Sequence, residues 1–130
     1  MSKSKRADRS GERTSVKTAH RDELAARVRA AFSDRDVREV RMFGGLSFMI
    51  DGRMAVSVGR EGDLLVRIDP TEHDQLLKMP GAQNAIMGAD RPMGPGWITV
   101  QRTYLSISDQ FSFWIRTALE FHAAQTNAPS

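Results

Sequence analysis

Arg41-Met42-Phe43-Gly44-Gly45-Leu46-Ser47-Phe48-Met49-Ile50-Asp51-Gly52-Arg53-Met54-Ala55 holds two apolar, strand-like runs, broken first by a glycine pair and then by Asp-Gly. Asp51-Gly52 is a strong short-range hairpin signal. A type I′ turn needs positive φ at both central residues, and Asp followed by Gly tolerates that best. Gly44-Gly45 lack β-carbons and permit a sharp bend, a bulge or close approach by another backbone. The stretch reads as the frame of a small antiparallel sheet and carries no catalytic group.

Working outward, Leu24, Val28, Ala31 and Phe32 share a face at helical spacing, which predicts a helix over 19–33 with Asp22 and Glu23 suiting its positive end. Strands are expected over 37–43, 46–50, 53–59 and, after the turn Glu61-Gly62-Asp63, over 64–68. Asp69-Pro70-Thr71-Glu72 has the form of a helix start, with Asp as cap and Pro at the first helical position. That helix should end near Lys78, before Pro80-Gly81. Residues 79–96 hold four glycines and three prolines and are expected to form an irregular loop. Long connections are often functional, so Arg91, Pro92, Met93, Gly94 and Gly96 are the candidate interaction residues. A last strand over 97–101 and a closing helix capped by Ser106 or Ser108 complete the order α-β-β-β-β-α-β-α. This is an α+β fold, an antiparallel sheet of about five strands with helices on one face.

The 130 residues bound the chain to a single modest core. Net charge is +3, but Lys3, Lys5, Arg6, Arg9, Arg13, Lys17 and Arg21 against Asp8 and Glu12 give the first 21 residues +5 and leave −2 for the rest. The presumed domain therefore lacks the basic face of a duplex-binding protein. The tail has almost no large apolar residue to offset its ordering entropy. The expected organisation is a disordered basic tail over 1–21, a folded domain over 22–124 and a disordered end over 125–130. There is no cysteine, which excludes thiol and disulfide chemistry and fits a cytoplasmic address. No apolar run approaches a membrane span.

Several motifs in register carry a family resemblance. Met42-Phe43-Gly44-Gly45-Leu46, Phe48 through Ala55, Leu64-Leu65-Val66-Arg67 with Pro70, Pro80-Gly81-Ala82, Arg91-Pro92-Met93, Gly96-Trp97 and Trp114-Ile115 with Ala118-Leu119 follow one another in the family's order. From Asp22 to His122 the chain resembles the N-terminal domain of the TfoX/Sxy family, named for regulators of bacterial DNA-uptake competence. Two-domain members carry a second, helical domain, whereas this chain stops soon after its last expected helix and is read as a stand-alone N-terminal domain. The resemblance implies a fold akin to secretion-chaperone-like domains, which frequently self-associate. Homodimerisation is thus one expectation.

The chain offers few groups arranged for chemistry. His20, His73 and His122 lie far apart, with no spacing that sets two imidazoles on one helix face. Asp69, Glu72, His73 and Asp74 are read as the charged start of a short helix rather than a cation site. His122 is read as a partly buried, hydrogen-bonded residue. Neither Ser47 nor Ser57 sits in a nucleophile elbow, and no phosphate-binding glycine loop is present. Met42, Phe43, Phe48, Met49 and Met54 are read chiefly as packing residues. Arg41, Arg53 and Arg67 are expected to pair with Glu39, Asp51 and Asp63. Phe43, Gly44, Gly45, Asp51, Gly52, Trp97 and Trp114 are the structural motif residues, with the two tryptophans as core anchors.

The reading is a non-enzymatic regulatory or adaptor module, without cofactor or metal, acting in transcriptional regulation through a protein partner. Two alternatives stand beside it. One is weak, non-specific nucleic-acid binding through Lys3, Lys5, Arg6, Arg9, Arg13 and Lys17. The other is a small-ligand protein or enzyme with a pocket under the 79–96 loop.

Overall fold

A computed structural model describes residues 12–42, 45–87 and 91–127, with side chains described for 19–42, 45–86 and 91–125. Helix α1 (Glu12–Ala31) leads into strands β1 (Val37–Met42), β2 (Gly45–Ile50), β3 (Arg53–Val58) and β4 (Leu64–Arg67). A 3₁₀ turn (Pro70–Glu72) and a single helical turn, α2 (His73–Leu76), follow. Strands β5 (Ala82–Asn84), β6 (Ile86–Met87), β7 (Arg91–Pro92) and β8 (Trp97–Val100) precede helices α3 (Arg102–Leu105) and α4 (Ser108–Asn127).

The Asp-Gly turn forms as the sequence requires: Asp51 takes φ 54° and Gly52 φ 79°. Strands β1 to β4 then pair in chain order, β8 joins β4, and β5 joins β8, giving a six-stranded antiparallel sheet in the order β1-β2-β3-β4-β8-β5. Register sorts the side chains. Phe48, Val56, Val66 and Ile98 stand in one cross-strand row, and Leu46, Val58, Leu64 and Val100 in the next. Apart from half-buried Leu46, every member of these rows is fully shielded from solvent. They form one core with Leu24, Ala25 and Val28 of α1 and Phe111, Trp114, Ile115 and Ala118 of α4, so both long helices cover the same face. Phe32, just after α1, meets Phe48 edge to face at 6.2 Å. On the opposite face Ser47 and Ser57 share a hydrogen bond at 2.9 Å, flanked by half-buried Val40, Met49 and Leu65. The register shift between Phe48 and Met49 marks a bulge that re-aims the end of the hairpin.

Several expectations need correction. The sixth strand, β5, comes from the stretch expected to be an irregular loop, and Ile86–Met87 and Arg91–Pro92 of that stretch pair as a separate two-stranded hairpin, β6-β7. Helix α1 begins at Glu12, inside the segment read as a disordered tail; no Gly or Pro interrupts it, so it propagates once its later turns dock. At the other end α4 continues to Asn127, past the expected boundary. The closing helix is two helices: Ser106 Oγ donates to the Thr103 carbonyl at the end of α3, and α4 opens at Ser108. Trp114 is fully buried as an anchor should be, but Trp97 is only half-buried. Ile98 and Val100 take the inner face, and a period of two sends Trp97 outward. Phe43 and Gly44 lie outside the described residues.

Gly45 and Gly52 separate two costs. A β-carbon on Gly45 would sit against the Val58 carbonyl oxygen, whereas at Gly52 nothing lies within 4 Å and only the positive φ opposes a side chain. Gly52→Ala should cost about 1 kcal/mol. Gly45→Ala should cost about 2–3 kcal/mol through forced displacement of β3. Urea denaturation of both variants checks the order; Gly52→Ala proving the worse would reject it.

Candidate interaction site

The stretch between β4 and β8 is organised around one histidine. Asp69 caps the 3₁₀ turn, its Oδ1 accepting from Thr71 N at 3.0 Å and from Thr71 Oγ1 at 2.8 Å, as its sequence signature predicts. This carries the chain into α2 with His73 turned inward, where it is buried. The Gly96 N–H donates to His73 Nδ1 at 3.0 Å. Nδ1 therefore carries no proton, and Nε2, at 2.8 Å from Asn84 Oδ1, is the ring donor. The Gly96 carbonyl in turn accepts from Ile68 N at 2.9 Å. One imidazole thus ties α2 to the end of β5 and to the entry of β8. Gly96 itself has φ 99°, and a side chain there would press on Pro70 and the Ile68 carbonyl.

The hairpin rises from this clamp. Ala85 is buried at its base, where its carbonyl accepts from Met93 N at 2.9 Å. Beyond it Ile86 pairs with Pro92 and Met87 with Arg91. Ile86 is 58% exposed, and Arg91 and Pro92 are exposed beside it. The five candidate residues are therefore brought to one place: Arg91 and Pro92 on β7, Met93 and Gly94 at its exit, and Gly96 in the clamp. Sequence reasoning missed Asn84 and the inward role of His73. No local signal marks them, because the bonding partners are distant in the chain and one of them is a backbone amide.

The remaining polar groups are arranged differently from the expected pairings. Glu39 is held in a two-pronged bond by Arg29, at 2.6 and 2.8 Å, and not by Arg41. The hydrogen bond to Arg29 holds the Glu39 carboxyl below its ordinary range. Asp51 meets buried His122, Nε2 to Oδ2 at 3.2 Å, and not Arg53. The Arg67 guanidinium lies 5.4 Å from the Trp97 ring and 5.9 Å from that of Phe121, a cation–π arrangement in place of an ion pair with Asp63. In each case the winning partner comes from another element, which local sequence could not show. Asp63 lines a cleft of about 370 Å³ with His20, Glu61 and Arg102. Burial pushes its carboxyl up, against the opposing hydrogen bond from the Arg102 backbone N–H. Lys3, Lys5, Arg6 and Arg9 lie outside the described residues, as do the side chains of Arg13 and Lys17.

The family model of the TfoX N-terminal domain matches residues 29–122. The chain belongs to that family. The match enters within α1, takes in every strand and leaves within α4. No curated protein and no solved structure matches the chain. Within this TfoX N-terminal domain, the motifs Pro80-Gly81, Arg91-Pro92-Met93 and Gly96-Trp97 converge on the segment that the His73 clamp fixes. Among the described residues no group of three or more His, Asp or Glu could hold a metal ion.

His73→Ala strands the Gly96 N–H and should cost about 1–3 kcal/mol, and Asn84→Ala, which takes the acceptor from the Nε2–H of a buried ring, should cost no more than that; urea denaturation measures both, and a His73→Ala as stable as the wild type would reject the clamp. For Asp63, the raised folded value means the native state holds the proton more tightly than the unfolded chain. Its contribution is therefore present below the ordinary carboxylate range and lost as pH rises through the raised value. Asp63→Asn should match the wild type in acid and gain stability over it as pH rises to neutral. A constant difference across pH would contradict this.

Proposed function

We propose that this TfoX N-terminal domain is a non-enzymatic regulatory or adaptor module that acts in transcriptional regulation through protein–protein contacts. Its contact surface is the β6-β7 hairpin. One observation carries the reading: the hairpin presents Ile86, 58% exposed, beside Arg91 and Pro92, on a base fixed by buried Ala85 and His73. Arginine is enriched at binding hot spots, and an exposed apolar neighbour on a hydrogen-bonded base loses little ordering entropy on docking. A role alongside a DNA-binding regulator, in the competence control for which the family is named, fits a bacterial cytoplasmic setting. No described helix is long and apolar enough to cross a membrane.

The test is affinity capture with the full chain as bait. A partner retained by the wild type should be retained equally when Lys3, Lys5, Arg6 and Arg9 are changed to Ala, and should bind about 30-fold more weakly to Ile86→Asp or Arg91→Glu, the loss expected for a hot spot. Circular dichroism checks that the variants fold. If the wild type instead binds duplex DNA in a way that collapses with salt and with the tail substitutions, the nucleic-acid reading replaces this one.

A further inference from the structure

Strand β1 is an edge. It pairs with β2 on one side, and no described strand pairs with the other, so alternate residues of a six-residue strand direct their backbone donors and acceptors outward. The opposite edge, β5, is only three residues long. Register places the side chains of β1. Glu39 and Arg41 stand opposite Phe48 and Leu46, on the helix-covered face; Arg38, Val40 and Met42 stand opposite Met49, Ser47 and Gly45, on the outer face.

From this we infer that β1 pairs antiparallel with β1 of a second copy, about a two-fold axis through Val40, to make one continuous sheet. The axis of such a pair is perpendicular to the sheet, so each residue must face one from the same side of the partner strand, and the axis must pass through a residue. Four registers meet this condition near the strand centre. Centring on Arg38 or on Arg41 sets arginine against arginine, and centring on Glu39 sets glutamate against glutamate. Centring on Val40 sets Glu39 against the partner's Arg41, twice by symmetry, with Val40 against the partner's Val40. It is the one register of the four without a like-charge pair, and cross-strand charge is a recognised determinant of pairing. Both groups are ready for it. Arg41 is exposed and has no carboxylate within ion-pair distance among the described residues. Glu39 accepts from Arg29 through both oxygens, and each carboxylate oxygen keeps a second lone pair for a further cation. Edge charges that would deter a foreign strand thus select a second copy in a single register.

Light scattering of the full chain over a range of concentrations reads the mass. The wild type should reach twice the chain mass. Arg41→Glu, which breaks no described intramolecular ion pair, sets glutamate against glutamate and should raise the dimer dissociation constant about tenfold or more. The triple exchange Arg29→Glu, Glu39→Arg and Arg41→Glu, which keeps opposite charges between positions 29 and 39 as well as between 39 and the partner's 41, should restore dimerisation. Circular dichroism confirms that every variant is folded. A wild type that keeps the single-chain mass at all concentrations overturns the inference. So does a folded Arg41→Glu that dimerises normally, or a folded triple exchange as weak as the single.

Discussion

Everything in this fold depends on the two apolar rows of the sheet being covered from one side. Val56, Val58, Leu64, Val66, Ile98 and Val100 have no solvent exposure at all, and they reach that state only because α1 and α4 lie side by side on them. At about 25 cal/mol per Å², that burial is the main favourable term a domain of this size has. The consequence is an asymmetric sheet. Its outer face carries a hydroxyl pair and half-buried side chains, and its edges are left to deal with their own backbone groups.

The hairpin at the head of the sheet, the apolar stripe of α1 and the Asp69 cap were legible in the sequence because each is local. Asp51 and Gly52 encode their own backbone conformation, and Leu24 and Val28 encode a helical period. What lay outside sequence reasoning depends on contacts across the chain. Strand β5 is too short to show alternation, and its place is set by Gly81, whose positive φ lets the chain turn tightly against Tyr104. His73 looked like one more polar residue at a helix start until Gly96 and Asn84 came to its two nitrogens. Trp97 looked like a core residue because size alone suggests burial, while strand parity decided otherwise.

The same division applies to the candidate site. Arg91, Pro92, Met93, Gly94 and Gly96 stand out in the sequence because long connections often carry function, and the structure gathers them. It gathers them in a different form, as a short hairpin raised on a hydrogen-bonded base. A flexible loop and a fixed hairpin bind differently: the loop must lose entropy on docking, whereas the hairpin has lost it during folding. Glycine and proline serve that rigidity here. Gly96 lets the backbone approach His73, and Pro92 closes the hairpin opposite Ile86.

The described residues of the segment richest in glycine and proline, 79–87 and 91–96, form a fixed platform. Amide hydrogen exchange of the full chain, followed residue by residue across 79–96, tests it most directly. The amides of Gly96 and Met93, which donate to His73 and to the Ala85 carbonyl, should exchange far more slowly than in an unfolded chain, with Gly96 approaching the protection of β8. Exchange of the whole segment at unfolded rates while β8 stays protected would contradict it.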